Sequence, residues 1–186
     1  MVTSLSRCVW VLLSYRLPRE PSTPRIAVWR RLRRLGAAQI GDGLVALPAD
    51  ARTQEQLEWL AEEIAEANGT STLWRAELTG AAQERAVIRD LTAARAAEYS
   101  AVAVKARAVH DGAHNDTKKT RELRSLRREL RQIQRRDFFP PVERDRARAE
   151  VMALAESLLA EPWSRLAAIP TTSSQETRAA TSVVDS

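Results

Sequence analysis

The chain has 186 residues, 44% of them hydrophobic and 28% charged, which is enough to bury a core and excludes a disordered protein by composition. Its formal net charge of +5 and pI of 10.1 favour polyanionic partners such as nucleic acid. One cysteine, Cys8, cannot form an internal disulfide, and no apolar run is long enough to span a membrane. We therefore expect a cytoplasmic protein without a signal peptide or membrane contact.

The first predicted element is a buried strand. Its apolar run, from Cys8 to Leu13, lacks the alternation of a half-exposed strand, so we expect a central position in a sheet. A helix follows, which Thr23 and Pro24 are expected to start and Gly36 to end. The residues predicted to face the core recur at a spacing of three, with Val28 beside them: Ile26, Trp29, Leu32 and Leu35.

The next elements complete a β-α-β-β-α-β order. Two short strands at residues 37–48 flank a Gly-Asp-Gly turn and are expected to form an antiparallel hairpin. A capping box of Thr53 and Gln56 starts a second, glutamate-rich helix, and residues 70–78 predict a fourth strand. This order is that of the ferredoxin-like α+β fold, so we assign residues 1–79 to a ferredoxin-like module.

Residues 80–160 predict an α-helical extension of three helices, since strand signals end there and helix-forming residues dominate. Phe138 and Phe139 are expected to anchor this extension on the sheet module. Residues 161–186, rich in Ser, Thr and Ala, predict a polar, disordered tail. The predicted apolar seams are Leu123, Leu126, Leu130 and Ile133 on the second extension helix and Val142, Ala149, Met152, Ala155 and Leu159 on the third.

The second extension helix is the first candidate site. Residues 118–137 carry nine basic and three acidic side chains, and if the leucine seam packs inward, arginines at spacings of three and four form a row that can follow phosphates. The alternative is a solvated face partly paired with the glutamate-rich helix. The candidate nucleic-acid-binding residues are Lys118, Lys119, Arg121, Arg124, Arg128, Arg131 and Arg135.

The arginines in and before the first helix are a second candidate, for an oxyanion that requires several N–H donors at once. A solubilising or docking surface is the alternative. Because glutamates of the second helix compete for them, we expect them to contribute less to nucleic-acid affinity than the row on the extension. The candidate anion-binding residues are Arg16, Arg19, Arg30, Arg31 and Arg34.

Catalytic groupings are not recognisable in this sequence. It contains no Ser-His-Asp set, glycine-rich phosphate loop or paired-carboxylate motif, so we expect neither an enzyme nor a cofactor. His110 and His114 lie with two aspartates in one loop, but without cysteine ligands this pattern predicts an interhelical turn and no metal site.

Four segments resemble those of one family: Trp-Val-Leu-Leu-Ser-Tyr-Arg-Leu-Pro at 10–18, Ala-Val-Trp-Arg-Arg-Leu-Arg-Arg-Leu-Gly-Ala at 27–37, Gly-Asp-Gly-Leu-Val-Ala-Leu-Pro at 41–48 and Asp-Phe-Phe-Pro at 137–140. Together they resemble the N-terminal domain of the ChrB chromate resistance family over roughly residues 8–160. The first module also resembles the ferredoxin-like domain of PaaX-type repressors, which is similar to small CRISPR-associated nucleases. The acidic residue of those nucleases at the end of the first strand is absent from Ser14-Tyr15-Arg16.

The ChrB resemblance implies a chromate-responsive transcriptional regulator of a chromate efflux operon. The implied partners are DNA, chromate or another oxyanion, and a separately encoded C-terminal-type domain, because typical members continue into a second domain. The sequence is compatible both with a helical extension that packs on its own module and with one that pairs with a second copy in a homodimer. The alternative is an interaction module that does not bind DNA and docks onto a separately encoded sensor domain or transporter component.

Overall fold

The computed structural model describes residues 8–113 and 115–167, with side chains described as far as Leu159. This part of the chain is an α+β protein with one four-stranded antiparallel sheet and five helices. The elements are β1 (Val9–Arg16), α1 (Thr23–Leu35), β2 (Ala38–Gly41), β3 (Leu44–Pro48), α2 (Ala51–Glu66), β4 (Thr70–Glu77), α3 (Ala81–Asp111), α4 (Asp116–Gln134) and α5 (Glu143–Ala167).

The sheet has the strand order β2-β3-β1-β4. Leu12 of β1 stands opposite Ala46 of β3 and Trp74 of β4, so β1 is paired on both edges, as its uninterrupted apolar run predicts. The hairpin of β2 and β3 is antiparallel as expected, and Gly43 in its turn has a φ of 69°.

Helices α1 and α2 cover one face of the sheet. Leu13 of β1 is fully buried there with Leu57, Leu60 and Ile64 of α2, whose spacing of three and four keeps them on one side of the helix. The opposite face of β1 is covered from the other half of the chain, since the Trp10 ring centroid lies 6.1 Å from that of Phe139. The segment between α4 and α5 therefore covers part of this second sheet face.

The start and the buried face of α1 differ from the prediction. Ser22 precedes the helix without a side-chain capping bond, and Thr23 is its first residue. Trp29 is 54% exposed and Ile26 is exposed as well, whereas Val28 is buried with Leu32. A strict spacing of three turns about 60° backwards per step, so only part of such a series can stay on the core face.

The capping box of α2 also lies one turn earlier than predicted. Asp50 is the N-cap, and its carboxylate accepts a bond from the Thr53 backbone N–H at 2.7 Å. The Thr53 hydroxyl in turn accepts from the Asp50 N–H at 3.0 Å. Thr53 is thus the third helical residue of the box and not its first, because the aspartate is the stronger acceptor for the open N–H groups.

Helices α3, α4 and α5 form a second core. Tyr99 and Val102 of α3 are fully buried there with Leu123, Leu126 and Ile133 of α4, which confirms the predicted α4 seam. The predicted face of α5 is wrong. Its buried residues are Ala147, Val151 and Leu154, while Val142, Ala149, Met152 and Leu159 are exposed and Ala155 is half-buried.

The α5 misassignment has a physical cause. Alanine and other apolar residues occur on several faces of this helix, so more than one seam fits its sequence, and contact with α3 decides between them. Helix α5 continues to Ala167, beyond the boundary predicted at residue 160, and the remainder of the predicted tail lies outside the described residues. No helix within the described residues is long and apolar enough to cross a membrane.

The segment between α4 and α5 joins the two cores. Phe138 packs against the apolar cluster under α1 and α2, and Phe139 contacts Trp10 on the opposite sheet face. The two phenylalanines therefore anchor the helical half on the sheet, as predicted, and α3 also lies against β2 at the sheet edge.

Candidate nucleic-acid interface

Helix α4 presents a row of basic side chains to solvent. Its start is fixed by Asn115, whose side chain accepts a bond from the Lys118 backbone N–H at 2.9 Å. Its leucine seam packs inward, so positions on the other side of the helix are exposed. At 1.5 Å per residue the row is about 21 Å long. Its exposed members are Arg121, Arg124, Arg128, Arg131 and Arg135.

The centre of this row has no internal partner. Within the described residues, Arg124, Arg128 and Arg131 contact no carboxylate and make no side-chain hydrogen bond. At the beginning of the helix Arg121 lies 3.9 Å from Glu122 in an exposed, weak pair, and the Lys119 amine donates to the His110 carbonyl at 3.4 Å. The row therefore keeps its charge available for an external anion.

The arginines before and within α1 do not converge on one site. Arg31 forms an ion pair with Glu63 of α2, which is the competition expected from the glutamate-rich helix. Arg16 ends β1 opposite Thr70, and Arg19 and Arg30 are exposed. Two cavities beside the C-terminus of α1 are lined by Arg34 but not by the other four predicted anion-binding residues.

The larger of these cavities, with a volume of about 620 Å³, lies between α1, β2 and α3. One wall is apolar, formed by Leu32, Val45 and Leu91 among others. Its charged lining mixes both signs: Arg33, Arg34, Arg95, Arg136, Asp90 and Glu98. A cavity with this lining is suited to structural pairing between its own charges more than to a highly charged anion.

Arg95 is the buried charge of this cavity, with only 8% of its surface exposed. Its Nη2 lies 3.2 Å from a Glu98 oxygen, whereas its Nε and Nη1 have no hydrogen-bond partner within the described residues. Burial lowers the pKa of Arg95, and the carboxylate of Glu98 opposes that shift. Nothing in the sequence of α3 distinguishes Arg95 from its exposed neighbours, so the sequence did not predict this network.

Gly36 makes the network possible. Its φ of 73° ends α1, and a Cβ atom on it would lie 2.7 Å from Arg95 Nη1 and 3.0 Å from Arg136 Cβ. Arg136 donates from Nη1 to the Arg33 carbonyl at 3.2 Å and from Nη2 to Glu98 at 3.0 Å. Glu98 therefore links two arginines that close over a glycine, which joins α1 to the helical half. We call Gly36, Arg95, Glu98 and Arg136 the junction network.

The smaller cavity, about 290 Å³, lies where the ends of α1 and α4 meet the start of α2. Among the residues that the structure describes, no acidic side chain lines it, unlike the junction network. We call it the arginine notch, and its lining residues are Arg34, Leu35, Arg52, Gln56, Gln132, Arg135 and Arg136. The notch adjoins the last turn of the α4 row through Arg135, so one predicted nucleic-acid residue and one predicted anion residue meet there.

The sequence of this chain matches a known family. The family described as Protein ChrB, N-terminal, matches residues 25–161, from α1 into α5. The chain belongs to the ChrB N-terminal family. It is 30% identical over 134 residues to Protein ChrB of Cupriavidus metallidurans, which covers 70% of this chain and 40% of that protein. The chain thus spans about two fifths of the length of this ChrB relative. No solved structure matches it significantly.

The family match covers the α4 row and the arginine notch of this ChrB-family chain, since all of their residues lie between positions 25 and 161. The remaining reactive side chains are less suited to form a functional site than these arginines. The Cys8 thiol is half-buried, and burial followed by the charge of Glu84 raises its pKa. Among the described residues no three His, Cys, Asp or Glu side chains are grouped to hold a metal, and His114 of the predicted turn lies outside them.

Proposed function

We propose that this chain is the DNA- or partner-binding N-terminal part of a chromate-responsive transcriptional regulator of a chromate efflux operon. Membership of the ChrB N-terminal family supports this proposal. The observation that carries the DNA-binding part is the α4 row, whose three central arginines have no partner in the described residues. Chromate or another oxyanion is the proposed effector.

The α4 row is suited to the phosphate backbone. Arginines spaced along one exposed side of a helix contact successive phosphates and release counterions, which gives affinity that falls with salt. Such contacts fix position and orientation without reading bases. The proposal therefore assigns α4 to positioning on the duplex, and sequence selection to other groups of the regulator.

We further propose that the first half is a ferredoxin-like module, residues 1–79, and that residues 80–160 are a three-helix extension. The strand order β2-β3-β1-β4 and the packing of α1 and α2 on one face support the first assignment. The common core of α3, α4 and α5 supports the second. In this arrangement the sheet module serves as the platform that positions the basic helix.

We propose that the protein is cytoplasmic and is not an enzyme. Incubation of the purified chain with nucleic acid and a divalent metal is expected to leave the substrate intact. Cleavage that persists through purification and disappears when one specific carboxylate is replaced would contradict this part of the proposal.

An interaction module that docks onto a separately encoded sensor domain or transporter component is the second candidate. Two exposed aromatic side chains favour it, Trp59 of α2 and Trp74 of β4, which are 51% and 57% exposed. Tryptophan is enriched among the residues that dominate protein interfaces. A second copy of this chain in a homodimer is a further proposed partner.

The gene's own operon distinguishes the candidates. We expect deletion of the gene to change transcription of an adjacent chromate-transport gene, and the purified chain to retain duplex DNA at low salt. Unchanged transcription with chromate present and absent, together with no retention of DNA, would contradict the regulator. Co-purification with a protein encoded beside it, without DNA binding, would favour the interaction module.

A further inference from the structure

The arginine notch concentrates positive charge without internal neutralisation. Four guanidinium groups and two side-chain amides line it, and no carboxylate from the described part of the chain does. Within that part, Arg136 is the one of the four with a carboxylate partner, Glu98 of the junction network. Like charges around a shared concave space repel one another, and an anion placed between them removes that repulsion.

Two of the four guanidinium groups are held in place. Arg52 donates to the Arg135 carbonyl at 2.7 Å and lies 5.7 Å from the Phe138 ring centroid. Arg136 is held by Glu98 and by the carbonyl of Arg33. A guanidinium has five N–H donors, so both arginines keep donors beyond these contacts. Groups that are already fixed lose little conformational entropy when they bind.

The other two guanidinium groups are exposed and adaptable. The side chains of Arg34 and Arg135 make no ion pair or hydrogen bond within the described residues. Gln56 and Gln132 add amide donors from the α2 and α4 sides of the space. At about 290 Å³ the cavity is several times larger than the roughly 30 Å³ that one water molecule occupies in the liquid. The space is therefore large enough for a tetrahedral oxyanion, with donors around it from α1, from α2 and from the C-terminal end of α4.

We propose that the arginine notch binds a phosphate group, through Arg34, Arg52, Arg135 and Arg136. Its position at the end of the α4 row makes a backbone phosphate of bound nucleic acid the expected source, and in that respect the inference rests on the proposed DNA binding. Free inorganic phosphate has the same chemistry and is the other source.

The test compares the parent chain with Arg34→Gln/Arg135→Gln, which removes the two adaptable guanidinium groups. Because neither side chain has a partner in the described residues, we expect this variant to fold with an unchanged melting temperature. The matched control, Arg75→Gln/Arg146→Gln, removes equal charge from exposed positions on β4 and α5. Two quantities are measured: the salt dependence of duplex DNA binding, and the rise in melting temperature in inorganic phosphate relative to sodium chloride of equal ionic strength.

We expect the notch variant alone to lower the slope of log affinity against log salt by about 0.9, the value of one phosphate contact. That result assigns the phosphate to nucleic acid. A phosphate-dependent melting shift in the parent and control, lost in the notch variant, supports a site for free phosphate and stands even if the parent binds no DNA. Parent-like behaviour of the notch variant in both measurements would overturn the inference, and it would leave the proposed function intact where the parent binds DNA.

Discussion

The junction network and the α4 row use the same residue type in opposite ways. Arg95 and Arg136 are packed over Gly36 and share the carboxylate of Glu98, whereas Arg124 and Arg128 project from the helix without a partner in the described residues. The first pair joins two halves of the protein. The two α4 arginines make no ion pair or side-chain hydrogen bond with the part of the chain that the structure describes.

Substitution of a buried arginine and substitution of an exposed one are therefore expected to have different consequences. Removing one of these two arginines takes away one of the two partners of Glu98 and leaves a gap in the packing over Gly36, which costs stability. Removing an exposed, unpaired arginine changes stability little but alters binding to an anion. Net charge alone does not make this distinction, since each substitution lowers it by the same amount.

The largest stability effect is expected for Gly36→Ala. The new Cβ would be strained at a φ of 73° and would meet Arg95 Nη1 at 2.7 Å, so we expect the free energy of unfolding to fall by about 3 kcal/mol. Urea unfolding measures this loss. Gly41→Ala is the matched control, because its Cβ meets nothing within 4 Å, and it is expected to change stability by less than about 0.5 kcal/mol. Equal stability of the two variants would contradict the assigned role of the junction.

A smaller loss is expected for Tyr99→Phe. The Tyr99 hydroxyl donates to Asp137 Oδ2 at 2.8 Å inside the helical core, and the other polar neighbour of that oxygen, Arg144, is 3.9 Å away. Leaving the carboxylate without this donor is expected to cost about 2 kcal/mol in urea unfolding. Tyr15→Phe is the control, because within the described residues the Tyr15 hydroxyl has no hydrogen-bond partner.

The Tyr99→Phe variant also predicts a pH dependence of stability. Burial, followed by the hydrogen bond and charge of Asp137, raises the pKa of Tyr99 above its ordinary value of 10.0. A tyrosine whose pKa is raised in the folded state contributes its full stability at pH values below its ordinary pKa of 10.0. This contribution is lost as the pH rises above 10.0. Between about pH 8 and about pH 11, Tyr99→Phe is therefore expected to lose less stability than the parent does. An equal alkaline loss in both proteins would show that Tyr99 is not the titrating group.

The smallest effect is expected for Arg31→Ala. Its ion pair with Glu63 is partly exposed, so solvent screening leaves at most about 0.5 kcal/mol of stability to lose. Thermal unfolding and DNA affinity are both expected to stay close to those of the parent. A large loss of thermal stability would make Arg31 a structural arginine, and a large loss of DNA affinity would make it a binding arginine. Either result would contradict the distinction between buried and exposed arginines.

The element order, the central strand and the α4 seam could be predicted from sequence because each depends on a local pattern. The apolar run of β1 and the leucines of α4 admit one burial pattern only. The inward face of α5 and part of that of α1 are predicted wrongly because several apolar positions compete there, and packing against neighbouring elements selects among them. Trp29, exposed on α1, is such a position.

The candidate sites divide in the same way. The basic row of α4 is a periodic feature of one helix, so its exposure on one side follows from the seam. The junction network and the arginine notch combine residues far apart in sequence, such as Gly36, Arg52 and Arg136, and no local pattern indicates that they meet. The sequence predicts that Gly36 ends a helix, whereas its close approach to Arg95 depends on the tertiary fold.

We propose that the α4 row, and not the α1 arginines outside the arginine notch, carries the phosphate contacts to DNA. The most direct measurement is the salt dependence of duplex DNA binding for Arg124→Ala/Arg128→Ala/Arg131→Ala beside an equal-charge triple variant in α1, Arg25→Ala/Arg30→Ala/Arg33→Ala. The control leaves out Arg31, which is paired, and Arg34, which lines the notch. We predict that the α4 variant keeps the parent's melting temperature and loses about 0.9 of salt slope for each phosphate contact removed, whereas the α1 variant keeps the slope. A slope lost in the α1 variant and retained in the α4 variant would contradict the claim.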